Sequence, residues 1–258
     1  MTNRITELFK IKKEKILNIY FTAGYPNLGD TVRILKALEK SGVDMVEIGM
    51  PYSDPTADGP IIQDSSETAI ASGMTISKLF EQLKDIRDHV SIPIVLMGYI
   101  NPVMQYGIEE FCIKAGKLGI DGTILPDLPF DIYKREYKEL FEENNLSNVF
   151  LVTPQTTPER IKELDETAQG FVYIVSTNST TGSETKVASE MNVYLERVKN
   201  INLTNPTLIG FNIKDRQSFL NACNYSNGAI IGSAFVKMLK TSENIEKDID
   251  TFVKKIKG

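Results

Sequence analysis

Residues 44–60 read DMVEIGMPYSDPTADGP. The first seven positions are mostly apolar, and Pro51, Pro55, Gly59 and Pro60 then break the chain into a loop that holds Asp54 and Asp58. A short apolar run ended by turn residues is the pattern of a strand buried on both faces, as in a parallel sheet. Helical stretches near 61–72 and 76–88 follow, so the segment opens a strand–loop–helix unit. Glu47 stands between Val46 and Ile48. A carboxylate in such a strand is costly because desolvation disfavours its charged form, so this one calls for a chemical reason.

The same unit recurs along the chain. Apolar runs predict strands over 17–24, 44–50, 92–100, 122–127, 148–154, 170–176, 206–213 and 228–235. Amphipathic stretches predict helices over 29–41, 107–118, 130–144, 157–168 and 186–199, from 214 onward, and over 243–256. Thr157 followed by Pro158 is a helix-start signal, with a hydroxyl cap and a proline in the first turn. An extra N-terminal helix would present Ile5, Leu8 and Phe9 on one side. Eight such repeats in 258 residues predict an α/β fold, a closed (β/α)8 TIM barrel. A doubly wound open sheet is the structural alternative. No linker or shift in composition divides residues 1–258, so the expectation is a single domain.

Composition narrows the function classes. A net charge of -5 argues against a nucleic-acid surface, which needs a basic face. No run reaches the roughly 18 apolar residues of a membrane span, and the charged N-terminus is unlike a secretory signal. Cys112 and Cys223 lack paired spacing, which predicts free thiols in a reducing cytoplasm and supports neither a zinc site nor a disulfide framework. With His89 the only histidine, a histidine triad or a histidine-rich metal centre is hard to build.

Barrel active sites lie at the C-terminal ends of the strands. That rule brings together Glu47 at the end of strand two, Tyr99 and Asn101 at the end of strand three, and Asp127 at the end of strand four. Tyr173 in strand six, Gly210 to Asn212 and Gly232-Ser233 complete the rim, while His89 falls on the opposite face as a structural residue. The segments TTGSE, GFN and IGSAF are rich in small residues, with Gly182, Gly232 and Ser233 the best anion contacts. One such glycine reads as a tight turn, but convergence on one rim favours a phosphate cradle of backbone amides that requires no lysine. Glu47 and Asp58 form an acidic pair. A desolvated carboxyl can shuttle protons while a better solvated one stays ionised, although Asp58-Gly59 is also a common turn pair.

The stretch VEIGMPYSDPTADGP resembles the signature of the tryptophan synthase alpha subunit family. FTAGYP, LMGYINP, LPDLP, TTGSE, GF-x-I and GSAFV extend the resemblance through the whole chain. It implies a barrel lyase that cleaves indole-3-glycerol phosphate to indole and glyceraldehyde 3-phosphate by a retro-aldol reaction, with no cofactor or metal in this chain. Glu47 would be the acid–base group, Asp58 would bond the indole N–H, and Tyr173 would flank the glutamate. Tyr20, Met97, Tyr99, Pro126 and Phe211 match positions that line the substrate pocket. Thr181 matches the threonine of a mobile loop that closes on the aspartate. The phosphate contacts carry over to Gly182, Asn212, Gly232 and Ser233.

The chain departs from the family in three places. Asn212 stands where a glycine is usual, and asparagine enters left-handed backbone more readily than most residues. Thr56 replaces an aliphatic residue, and the STNSTTGSE loop lacks the usual arginine and glycine. The resemblance further implies a beta-subunit partner that carries pyridoxal phosphate, in an alpha2beta2 assembly. Pro51, Asp54, Asn101 and Pro102 would face that partner. Two other readings compete: a different phosphosugar barrel enzyme, which gives no reason for Glu47 and Asp58 to share one unit, and an inactive docking barrel, which need not retain them.

Overall fold

The computed structural model describes residues 3–56, 58–175, 184–210 and 212–258, with 184–190 described by backbone alone. Strands β1 (Ile16–Thr22), β2 (Met45–Gly49), β3 (Ile94–Met97) and β4 (Gly122–Ile124) pair in parallel, each with the next. Strands β5 (Ser147–Val152), β6 (Val172–Val175), β7 (Thr207–Gly210) and β8 (Gly228–Ile231) continue the series, and β8 returns to β1. The result is a closed parallel barrel in sequence order rather than an open doubly wound sheet.

Successive side chains on a strand point to opposite faces, so paired residues share a face. Tyr20 pairs with Glu47, Glu47 with Val95, and Asn18 with Ile230. Tyr20, Glu47 and Ile230 all line the cleft at the barrel mouth, which identifies this face as the interior. The opposite face of the strands meets the helices, and its Phe21, Ile48 and Leu96 are fully buried.

Helices α1 (Arg4–Ile11), α2 (Thr31–Lys40), α3 (Pro60–Ala71), α4 (Ile76–Gln82), α5 (Ile100–Tyr106) and α6 (Ile108–Lys117) belong to the first half. The second half carries α7 (Phe130–Ile132), α8 (Lys138–Glu143), α9 (Pro158–Thr167), α10 (Glu184–Asn200), α11 (Arg216–Cys223), α12 (Ser233–Lys240) and α13 (Ile245–Lys257). Helix α1 is the expected extra element. Asn3 and Thr6 form its capping box, and its Ile5 and Phe9 are buried with Leu8 partly so. The Asn3 amide also donates to the Asp121 carbonyl (2.9 Å) and the Ser147 hydroxyl (2.8 Å), tying α1 to the N-terminal ends of β4 and β5.

Several expected boundaries shift. The strand expected over 92–100 stops at Met97, and residues 100–106 form a helix. Tyr99 is the helix N-cap, and Asp127 accepts a hydrogen bond from the Ile100 amide at 2.9 Å. The cap therefore comes from another strand's loop, which local sequence does not reveal, and Pro102 is tolerated because first-turn amides have no intrahelical partner. Strand β4 ends at Ile124, before Pro126 and Pro129, which cannot donate to a ladder. The helix expected over 76–88 ends at Gln82 and passes into a 3-10 turn at Ile86–Asp88. The helix expected over 130–144 contains a π-helical turn at Tyr133–Tyr137. The run 228–235 is strand only to Ile231; Gly232 leaves strand geometry (φ -110°, ψ -85°) and α12 begins at Ser233.

Candidate active site

Glu47 sits in the middle of β2, side chain inward and fully buried. Its Oε1 accepts a hydrogen bond from Asn18 Nδ2 at 2.6 Å, while Oε2 is buried without a hydrogen-bond partner among the described residues. Burial pushes the Glu47 carboxyl up to about 8, and the Asn18 bond opposes that rise without cancelling it. At neutral pH the group is therefore mostly the acid.

Asp58 lies on the loop after β2. The loop turns on a bond from the Asp58 amide to the Pro55 carbonyl (3.0 Å) and is tied to α3 by Gln63, whose side chain donates to the Asp58 carbonyl at 2.9 Å. Asp58 is only partly buried, and its Oδ2 accepts from the Tyr99 hydroxyl at 3.2 Å. Burial raises this carboxyl too, partly offset by Tyr99. The expected contrast is thus one of degree: Asp58 keeps more solvent and a donor on its carboxylate, and Glu47 is the more desolvated of the two.

Two tyrosines complete the mouth. Tyr20 of β1 lies over Gly49 and Tyr173 of β6 over Gly210; a Cβ at either glycine would overlap the phenol oxygen. Each glycine therefore makes room for a ring that reaches the site. Burial raises both phenols far above their ordinary range, so they act as neutral donors and packing surface.

The cleft above Glu47 has a volume of about 620 Å³, within the size of small-molecule sites. At one end the cleft adjoins a small apolar recess lined by Met50, Met97, Tyr99, Pro126 and Leu151, and the two cavities share Tyr20, Met97 and Asp58. The other end carries Asn212, Gly232, Ser233, Lys214 and Lys237. Helix α12 starts here with no side-chain cap on Gly232, and its first intrahelical bonds run from Phe235 and Val236 to the Gly232 carbonyl. The Ser233 and Ala234 amides are thus at an open helix N-terminus, a suitable place for an anion. Asn212 adopts the left-handed conformation a glycine would, with φ 59°.

A profile of the family described as tryptophan synthase alpha chain matches residues 7–257. The tryptophan synthase alpha chain of Christiangramia forsetii is 52% identical over 256 residues, 99% of each chain. That of Flavobacterium psychrophilum is 54% identical over 254 residues, 98% of this chain and 99% of the relative. Among solved structures, the alpha subunit of Legionella pneumophila superposes with a TM-score of 0.88 at 29% identity, covering 99% of this chain and 97% of the other. The tryptophan synthase A-subunit of Pyrococcus furiosus gives 0.87 at 34% identity, covering 96% and 99%.

The chain belongs to the tryptophan synthase alpha chain family.

Of the residues that match the family's pattern, Glu47, Asp58, Tyr20, Met97 and Tyr173 line the cleft, and Tyr99 and Pro126 line the recess that adjoins it. Asn212, Gly232 and Ser233 gather at its far end. Thr181, Gly182 and Phe211 lie outside the described residues. Pro51, Asp54, Asn101 and Pro102 stand outside the cleft lining, Asp54 and Asn101 exposed and the two prolines half-buried. Asn101 donates to the Tyr52 hydroxyl at 3.2 Å, and the Tyr52 and Tyr99 rings lie 5.2 Å apart with their planes tilted by 35°, so the rim and the site share an aromatic pair.

Sequence reasoning missed Asn18, Ile230, Leu151, Lys214 and Lys237. Strand alternation counted from Tyr20 would have turned Asn18 inward, whereas Leu151 and Ile230 follow only from their pairing with Tyr173 and Asn18 in the closed sheet. The lysines follow the GFN and GSAF segments but carry no periodic signal.

Proposed function

We propose that Glu47 and Asp58 carry the family's alpha reaction, the retro-aldol cleavage of indole-3-glycerol phosphate to indole and glyceraldehyde 3-phosphate in tryptophan biosynthesis. The observation that carries this reading is Glu47 itself: fully buried, bonded through one oxygen only, protonated at neutral pH, and lining a cleft with Asp58.

The substrate's indole takes the apolar recess, with its N–H donating to Asp58. Glu47 gives its proton to indole C3, and the ring nitrogen supplies the electron pair. Asp58 stabilises the positive charge this leaves on the ring. The Glu47 carboxylate then takes the proton of the hydroxyl on the adjacent glycerol carbon. That oxygen becomes the aldehyde carbonyl, the carbon–carbon bond breaks, and its electron pair returns through C3 to the ring nitrogen. One proton leaves Glu47 and one returns, so the residue ends as it began.

The phosphate takes the other end of the cleft. There the α12 amides, Asn212 and the cations Lys214 and Lys237 supply positive potential. Gly182 is the further contact and Thr181 the loop group that closes on Asp58. None of these steps asks the chain for a cofactor. The partner is a beta subunit holding pyridoxal phosphate, met through the rim of Pro51, Asp54, Asn101 and Pro102 in an alpha2beta2 assembly. The whole chain acts as one domain, a reading supported by one closed sheet and one continuous hydrophobic core. A cytoplasmic setting fits, since no described helix is long and apolar enough to cross a membrane.

The test is indole release from indole-3-glycerol phosphate by the purified chain, with and without a cognate beta subunit. Turnover by the chain, lost in Glu47→Gln with substrate binding retained, is the expected result. Near-normal turnover in that variant would remove Glu47 from the chemistry.

A further inference from the structure

We propose that Asn18 is the positioning residue of the acid–base centre: its side-chain amide holds Glu47 Oε1 and so leaves Oε2 as the oxygen that gives and takes the proton. This deepens the reading above and rests on Glu47 being the acid–base group.

Asn18 is an amide at a position where a barrel interior is ordinarily apolar. It is fully buried on the inward face of β1, paired with Met45 on one side and Ile230 on the other. Barrel interiors are filled mainly by branched apolar residues, and a buried amide is costly unless it is bonded. Asn18 makes one side-chain hydrogen bond among the described residues, the 2.6 Å bond to Glu47, and its own Oδ1 is left without a partner. An apolar side chain would avoid that cost, so the contact with Glu47 is what the residue supplies.

The chemistry of the bond sets the division between the two oxygens. An NH2 group only donates, so the oxygen facing it must offer a lone pair in both protonation states. When Glu47 is neutral, its carbonyl oxygen is the stronger acceptor of the two, so Oε1 takes that role and the proton sits on Oε2. Oε2 is also the atom with no hydrogen-bond partner among the described residues. Tyr20 on β1 and Tyr173 on β6 feel the Glu47 charge, and Asp58 shares the cleft. The cleft's two lysines, Lys214 and Lys237, stand at its phosphate end and do not shift Glu47. β3 and β8 contribute Val95 and Ile230. None of the groups nearest Glu47 is a cation, so the Asn18 bond is the favourable contact the carboxylate keeps after it has lost its proton. Asn18 makes Glu47 a stronger acid than burial alone would leave it.

Asn18→Val removes the donor while keeping a side chain ordinary for a barrel interior. We expect kcat to fall roughly 10- to 100-fold with KM within about threefold. The alkaline limb of the kcat/KM profile should move to higher pH, since Glu47 then loses its proton less readily. Infrared spectra give a second readout that needs no turnover. The protonated-carboxyl C=O band assigned to Glu47 by its loss in Glu47→Gln should move to higher wavenumber in Asn18→Val, because the bond to that oxygen is gone. Asn18→Ser, whose hydroxyl is too short to span the contact, should show the same two shifts and covers the case in which the valine variant folds poorly. An unmoved limb and an unmoved band in either folded variant would overturn the proposal. If Glu47→Gln kept its turnover, the acid–base reading would fail first; an inactive Glu47→Gln beside unshifted Asn18 variants would sink this inference alone.

Discussion

Glu47 and Asp121 are both buried carboxylates on the inner scaffold of one barrel, and they are treated in opposite ways. Glu47, near the C-terminal ends of the strands, has one amide donor and one oxygen with no partner among the described residues. Asp121 precedes β4 at the other end and is saturated. Arg87 lies 2.6 Å from Oδ2 and Arg4 3.2 Å from Oδ1, while the backbone amides of Ile94 and Arg4 donate at 2.9 and 3.3 Å. Arg87 in turn donates to the carbonyls of Gly119, Val90 and Ile92, stitching the floor together. Only a carboxyl that is poorly compensated can cycle a proton near neutral pH, and only one that is fully compensated can anchor structure. The two ends of the barrel divide these tasks, as its functional and stabilising faces do in general.

Breaking each carboxylate should break a different property. Glu47→Gln is expected to lower the rate of indole release by about 10²- to 10⁴-fold, the range of an acid–base group, with no loss in urea-unfolding stability. Asp121→Ala should do the reverse. It leaves Arg87 facing an emptied partner site, so unfolding stability should drop by about 3–5 kcal/mol, while turnover per folded molecule is retained. A large stability loss in Glu47→Gln, or a large loss of intrinsic turnover in Asp121→Ala, would erase the distinction.

Asp58 sharpens the contrast within the functional end. Its proposed contribution is charge stabilisation rather than proton transfer, so Asp58→Ala should cost about 3–4 kcal/mol of transition-state stabilisation, as removal of a preorganised electrostatic contact does. That loss should appear in kcat. A change confined to KM would make Asp58 a binding residue.

The pH dependence of stability tests the desolvation of Glu47 without any substrate. The Glu47 carboxyl is raised from 4.5 to about 8 in the folded chain. Its contribution to stability is therefore fully present below its unfolded value and is lost as pH rises through about 8. Glu47→Gln lacks that loss, so the variant should gain relative stability, on the order of 3 kcal/mol between about pH 5 and pH 8. Parallel stability curves for the two chains would show that Glu47 is not desolvated as described.

The smallest effect is expected at Asn212. Its backbone already holds the left-handed conformation, so Asn212→Gly should change inorganic phosphate affinity by less than about threefold while relieving roughly 1 kcal/mol of backbone strain. Strongly tighter phosphate binding would mean that the asparagine side chain, rather than the backbone, governs that contact.

Much of this molecule is visible in its residues. Eight apolar runs, each followed by an amphipathic stretch, specify the barrel because a parallel sheet buried on both faces must be apolar throughout and helices must cover it. Glu47 stands out against that background, and Asp58 on the loop after strand two, Tyr173 within strand six and the GSAF glycine after strand eight fall on the side where a barrel places its site. Such features are local, carried by periodicity, turn chemistry and composition. What only the tertiary structure decides is long-range pairing between polar groups. The Asp127 cap that turns 100–106 into a helix, the two arginines on Asp121 and the Asn18 amide on Glu47 each join residues 27 to 117 positions apart. No repeat in the chain signals such pairs. A hydrogen bond is set by distance and angle in space, and those exist only once the barrel has closed.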